Sequence, residues 1–231
     1  MRFLSLSPLV LGALALSFAA AAAQEAQQPA GPVEVAKYVE VQSGQEKTAL
    51  AALRKYRAAT RGQDGNSTVL LLEETGRPSR FVIVERWKDD SAYKAHLGAP
   101  ASTQFTADLA TIRRAPDDER AHSDFLVEGG GKVPASAIFV LTHADVTPPR
   151  RPPTEDALKT LVEASRKEPG VVEFDVFRQQ GQPNHFTMYE VWSNARTFAA
   201  HGKAAAALGF RQTLAPLLGA LYDERIYREI E

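Results

Sequence analysis

An internal repeat constrains this chain more than any other feature: sliding the sequence on itself by 105 residues aligns its two halves without a gap. Gly65 meets Gly170, Gly76 meets Gly181, Pro78 meets Pro183, Phe81 meets Phe186, Glu85 meets Glu190 and Trp87 meets Trp192. The register continues through Ala95 and Ala200, His96 and His201, Ala99 and Ala204, Ala101 and Ala206, Phe105 and Phe210, and Leu109 and Leu214. That makes 12 identities over residues 65–109, where composition alone gives roughly 3. Upstream, Leu53 with Leu158 and Arg61 with Arg166 keep the same offset. The chain therefore carries two copies of one unit, too few for a solenoid. Three glycines and a proline at Glu128-Gly-Gly-Gly-Lys-Val-Pro134 interrupt any periodic pattern and mark the boundary. The first module spans 33–128, a Gly/Pro linker 129–135, and the second module 136–231.

Each half reads as strand, helix, strand, strand, short helix, helix, strand. Val33 to Val41 alternates valines with Glu34 and Glu40, the pattern of a strand buried on one face. Thr48 to Ala59 places Ala49, Leu50 and Leu53 on one side of a helix and Arg54, Lys55 and Arg57 outside. Ser67–Glu74 and Arg80–Trp87 form a hairpin about Gly76-Arg-Pro78, repeated as Gly181-Gln-Pro183. Asp89 or Asp90 caps a short helix ending near Gly98, a longer one runs from about Ala101 to Arg113, and His122–Val127 is the last strand. The second half repeats this from Ala137 to Ile230, with Thr147-Pro-Pro-Arg-Arg-Pro-Pro153 read as a stiff spacer, or a lid, before a helix at Glu155. The βαββαβ order makes the chain α+β, two tandem ferredoxin-like modules, each with helices on one sheet face and the other face bare. The second copy is the obvious cover for that face, burying one parity of the strand residues Leu70, Leu72, Phe81, Ile83, Val172, Phe174, Val176, Phe186 and Met188.

Before the modules, Arg2, an apolar run from Phe3 to about Ala22 and the small residues Ala21–Ala23 ahead of Gln24 and Glu25 read as a secretory signal peptide over 1–23. A flexible mature N-terminus covers 24–32. This predicts a periplasmic or secreted protein, soluble and free of the membrane after cleavage. No cysteine is present, which excludes a disulfide framework and thiolate metal sites. The formal net charge of -1, with acids and bases mixed along the chain, argues against nucleic acid as a partner. The five histidines form no His-x-His or His-Glu-x-x-His pair, and no glycine-rich turn joins a strand to a helix, so no metal or dinucleotide cofactor is expected.

Phe81-Val-Ile-Val-Glu85-Arg-Trp87 leading through Tyr93 to His96, and Phe186-Thr-Met-Tyr-Glu190-Val-Trp192 leading through Phe198 to His201, resemble the antibiotic biosynthesis monooxygenase family of dimeric α/β barrels. The resemblance covers both halves. Members of that family usually pair two single modules, so it implies that this tandem chain is an intramolecular pseudo-dimeric α/β barrel; a further homo-oligomer is compatible with the same fold. Activities in the family include cofactor-free oxidation of quinols and polyketide phenols by dioxygen, haem degradation, and isomerisation of small signalling molecules. The haem-degrading branch uses an Asn, a Trp and a His at positions held here by Lys37, His96 and Thr106. The second half has His201 and Arg211 at the latter two, with its first-strand position near Thr142 and His143. That triad is absent, which argues against haem degradation.

Two functions from different classes follow. One is a cofactor-independent monooxygenase acting on a quinol-like or phenolic small molecule with dioxygen. The other is a noncatalytic barrel that binds a small molecule or haem. On the short helix, Tyr93 and His96 lie one turn apart, as Phe198 and His201 do. For the enzyme, His96 or His201 is the general base that makes an oxidisable phenolate, with Tyr93 and Glu85 or Glu190 orienting it. Trp87, Trp192, Phe198, Phe105 and Phe210 would wall the substrate pocket. Against this stand structural roles: histidines that pin the short helix to the sheet, glutamates that fix a barrel corner, and tryptophans that serve as packing. Tyr56, Tyr189, His143 and His185 are further pocket candidates that nothing in the spacing requires.

Overall fold

A computed structural model describes residues 31–231. The signal peptide read over 1–23, and all but the end of the 24–32 stretch, lie outside the described residues. The first module contains β1 (Val33–Glu40), α1 (Glu46–Thr60), β2 (Asn66–Glu74), β3 (Arg80–Trp87), α2 (Asp90–Leu97), α3 (Pro100–Leu109) and β4 (Asp118–Leu126). The second contains β5 (Ile138–Asp145), α4 (Arg151–Ser165), β6 (Val171–Gln179), β7 (His185–Trp192), α5 (Ala195–His201), α6 (Ala205–Leu214) and β8 (Asp223–Glu229).

Each βαββαβ unit forms a four-stranded antiparallel sheet, and the two sheets join edge to edge. β2 pairs with β8 and β6 with β4, closing an eight-stranded barrel in the order β1-β3-β2-β8-β5-β7-β6-β4. Closure leaves no strand edge open, which is how the bare faces are covered. The repeat explains itself in this geometry. Gly65 and Gly170 sit at positive φ (+79° and +87°) where β2 and β6 begin, packed against α2 and α5. A Cβ at Gly65 would lie 2.6 Å from the Cβ of Ala92. Gly76 and Gly181 take positive φ in the hairpin turns.

Parity is now assigned. Phe81, Ile83, Phe174, Val176, Phe186 and Met188 lie under the helices of their own module. The alternate residues Leu72, Val82, Val84, Phe177, Tyr189 and Val191 fill the barrel interior together with Tyr38, Phe139 and Tyr227. The helices bury one stripe each: Ala49, Ala52, Leu53, Tyr56 and Thr60 on α1, and Thr154, Leu158, Leu161, Val162 and Ser165 on α4. The barrel interior is also polar. Arg86 bonds Glu34 at 2.7 Å at one end, and at the other the Tyr38 hydroxyl lies 2.6 Å from His143 Nε2. His143 Nδ1 is 2.9 Å from Thr187 Oγ1, which is 2.8 Å from His122 Nε2. His122 Nδ1 faces the Glu34 carbonyl at 3.2 Å, and that acceptor fixes the direction of the whole chain of donors.

Three boundaries differ from the sequence reading. The proline run is neither spacer nor lid: Pro148–Arg150 is a 3-10 turn, and Pro152 and Pro153 occupy the first turn of α4. The missing amide hydrogens cost nothing there. Helix α3 stops at Leu109, not Arg113. Strand β4 starts at Asp118, not His122, because its polar residues pair with β1 and send Arg120 and His122 inward to hydrogen-bonded partners. The linker is held as well: Asp175 accepts from the backbone N–H of Glu128 and of Gly129 at 3.0 and 3.1 Å.

Candidate active sites

Both Glu-x-Trp strand ends point away from the barrel interior, into the layer between sheet and helices, where α2 or α5 brings its histidine over them. In the first module β3 places Glu85 and Trp87 on one face, two residues apart as a strand requires. The capping bond from Ala92 N–H to Asp89 sets the start of α2, so that Ala92, Tyr93 and His96 face the sheet. Trp87 Nε1 donates to Glu85 Oε2 at 2.9 Å, and the His96 ring lies on the indole with centroids 4.6 Å apart. Tyr56, reaching down from α1, donates its hydroxyl to Glu85 Oε1. That hydroxyl is 2.7 Å from His96 Nε2 and 3.3 Å from the Lys37 ammonium. His96 Nδ1 meets Gln63 Oε1 at 2.8 Å. Lys37 pairs with Glu119 at 2.9 Å, and Glu119 also accepts from Tyr93 at 2.5 Å. Glu85 is 0% and His96 1% exposed, so this is a closed network in which every member named has a partner.

The second module keeps the frame and loses most of the network. Trp192 Nε1 donates to Glu190 Oε2 at 2.8 Å, and the His201 ring stacks on Trp192 with centroids 4.7 Å apart. Leu161 stands where the repeat places Tyr56, Thr142 where it places Lys37, Phe198 where it places Tyr93, and Glu168 where it places Gln63. His201 Nδ1 is held by Glu168 at 3.1 Å, while its Nε2 has no hydrogen bond among the described residues, the Glu190 carboxyl lying 3.9 Å away. Glu224, the counterpart of Glu119, is taken by Arg211 at 2.7 Å. Thr142 is fully buried and its Oγ1 has no hydrogen-bond partner among the described residues.

Electrostatics follow from burial. Burial pulls the His96 imidazole below its ordinary value against the opposing charge of Glu85. Burial, and then Glu85, push the Tyr56 phenol far up. Glu190, with the Trp192 indole as its one donor among the described residues, is pushed by burial up to about 8.

Of the predicted residues, Glu85, Trp87 and His96 come together, as do Glu190, Trp192 and His201. Tyr93 shares the helix face with His96 and bonds Glu119, with no hydrogen bond to the histidine. Phe105 packs on Tyr56 with ring centroids 4.4 Å apart, Phe210 is buried in the second core, and Phe198 is partly buried against it. The pocket candidates Tyr189 and His143 lie in the barrel interior, remote from both histidine layers, and His185 pairs with Asp145 at 3.5 Å at its rim. Tyr56, the remaining pocket candidate, lies in the first histidine layer against Glu85 and His96. The roles of Lys37, Glu119, Gln63 and Glu168 in these layers were not read from the sequence. The signal lay in the repeat register itself, at positions where the two copies differ.

Comparison with known proteins agrees with the geometry. The antibiotic biosynthesis monooxygenase family profile matches twice, over residues 32–108 and 137–213. YcnE of Bacillus subtilis strain 168, provisionally named a monooxygenase, is 30% identical over 86 residues, covering 37% of this chain and 90% of its own. A provisionally named monooxygenase of Fusobacterium nucleatum has the same fold, with a TM-score of 0.76 at 18% identity over 88% of this chain and 94% of its own. An anthrone oxidase-like protein shares it at a TM-score of 0.69 and 12% identity, over 87% and 92% of the two chains. With two matched modules closing one barrel inside a single chain, this protein belongs to the antibiotic biosynthesis monooxygenase family, as an intramolecular pseudo-dimer.

Proposed function

We propose that this protein is a cofactor-independent monooxygenase that oxidises a quinol-like or phenolic small molecule with dioxygen, with His201 as general base. The observation that carries the reading is the His201–Glu168 pair. A carboxylate only accepts hydrogen bonds, so it holds the proton on Nδ1 and leaves the Nε2 lone pair facing the sheet. Nε2 takes the phenol proton, and the resulting phenolate is electron-rich enough to reduce dioxygen. One oxygen atom enters the substrate and the other leaves as water, the substrate supplying the electrons. Glu190, with its carboxyl pushed up by burial, holds a proton at neutral pH and can donate a hydrogen bond to the same phenolate oxygen. Such a pair of base and acid is worth about 10²–10⁴ in rate. The family membership and the monooxygenase name carried by YcnE support the reaction class.

The test is oxygen consumption with a panel of hydroquinones and catechols, comparing the wild type with a His96→Ala, His201→Ala double variant. Uptake that requires the protein and disappears in the double variant is expected. Uptake no faster than autoxidation, with the fold verified by circular dichroism, would replace this reading with that of a binding protein.

A further inference from the structure

The interhelical groove above each histidine layer exists twice, in two different states. In the first module, between α1 and α3, Lys55 pairs with Asp108 at 3.0 Å, and Gln104 bonds the same carboxylate at 2.7 Å. This clasp leaves about 30 Å³ over Tyr56 and Phe105, room for a water and little else. The repeat puts Thr160, Thr213 and Gly209 at the positions of Lys55, Asp108 and Gln104. With no clasp, the groove between α4 and α6 opens to about 560 Å³ over Leu161 and Phe210, a volume suited to a small organic ligand.

Beneath the grooves the contrast is chemical. The first module already contains a phenol: Tyr56 spans from the groove floor to the carboxyl of Glu85, with His96 Nε2 and Lys37 around its hydroxyl. In the second module Leu161 brings no hydroxyl, yet Glu190 and His201 are retained at the places of Glu85 and His96. Thr142, at the place of Lys37, keeps a buried Oγ1 with no hydrogen-bond partner among the described residues, and such a group is destabilising unless a ligand satisfies it.

We infer that the second module takes an exogenous phenol between α4 and α6 and sets its hydroxyl where the Tyr56 hydroxyl sits in the first. One chain then holds one working site and one site closed by its own tyrosine. The occupant is identified by the internal comparison: a monocyclic phenol, apolar around the ring, with its hydroxyl toward Glu190, His201 and Thr142. This inference rests on the proposed oxygenase only for the fate of the ligand, and its binding stands apart from turnover.

The test is calorimetric titration of the full chain, under nitrogen, with 4-nitrophenol as a redox-inert probe. One site per chain is expected, weakened at least tenfold by Leu161→Tyr. Because that buried change can disturb the fold, a second variant moves the clasp instead: Thr160→Lys, Gly209→Gln and Thr213→Asp together. These positions are exposed, and a Cβ at Gly209 meets nothing within 4 Å. This triple variant is expected to lose binding to a similar degree with its unfolding midpoint unchanged. Two equivalent sites per chain, no binding at all, or affinity untouched by the clasp would overturn the inference. Binding with these sensitivities but no oxygen uptake from hydroquinones would uphold it and remove the oxygenase reading. Uptake indifferent to both variants would do the reverse.

Discussion

The two histidine layers share one backbone plan and differ in how completely it is filled. Around Glu85 the carboxyl is met by donors on both oxygens: Tyr56, Trp87 and, through Tyr56, Lys37 and His96. Around Glu190 the described residues supply one indole donor, a histidine with one nitrogen unbonded and a threonine without a partner. A saturated buried network stabilises and specifies a fold, whereas an unsaturated one is costly and persists where something else completes it. The first module thus reads as the module that holds the barrel together and the second as the one that works.

Removing the central carboxyl of each layer sharpens this contrast most. Glu85→Ala strands the Tyr56 hydroxyl and the Trp87 indole in a dry interior, and is expected to cost about 3 kcal/mol or more. Glu190→Ala strands only the Trp192 indole and also relieves a buried acid, so roughly 1 kcal/mol is expected. Urea unfolding of the two variants measures the difference, and equal losses would break the comparison.

A pH series separates the layers next. Glu190 rises from an ordinary 4.5 to about 8, so its contribution to stability is fully present below pH 4.5 and is lost as pH rises through 8. Glu34, pushed by burial up to about 8 despite Arg86, acts with the same sign in the barrel interior. Burial holds His96, His122 and His143 below the ordinary 6.5, and these act with the opposite sign as pH falls below that value. The wild-type unfolding midpoint should therefore fall between about pH 6.5 and 9, and Glu190→Gln should flatten that slope without abolishing it. A slope unchanged in Glu190→Gln would place the titration elsewhere.

The smallest effect belongs to the helices that carry the two grooves. Helix α4 carries Pro152 and Pro153 in its first turn, where the repeat puts Lys47 and Thr48 in α1. Proline in a first turn lowers the entropy of the unfolded chain, so Pro152→Ala, outside the groove lining, is expected to cost about 0.5 kcal/mol with oxygen uptake unaffected. A change in uptake with no change in stability would return the proline run to a lid.

Much of this was legible in the sequence. The 105-residue register located both modules, the hairpins and both Glu, Trp and His sets, because glycines at positive φ and strand-end aromatics are needed wherever the plan recurs. Strand β4 was partly hidden, since Asp118–Arg120 carries no apolar alternation and is held by its pairing with β1. Tyr56 was legible only as one pocket candidate among several, and Lys37 only as a departure from the haem-degrading triad: on α1 and β1 each occupies a core-facing position, and only the folded chain shows that Tyr56 reaches Glu85 and His96 and that Lys37 reaches Tyr56. Identities between the copies revealed the scaffold, while the pairs that differ, Tyr56 and Leu161, Lys37 and Thr142, Gln63 and Glu168, carry the asymmetry.

The most direct test of the central claim is oxygen uptake from a hydroquinone by the His201→Ala variant alone, measured beside the wild type at saturating substrate. The account predicts a loss of about 10²-fold or more with the fold retained. Full turnover in that variant would contradict it.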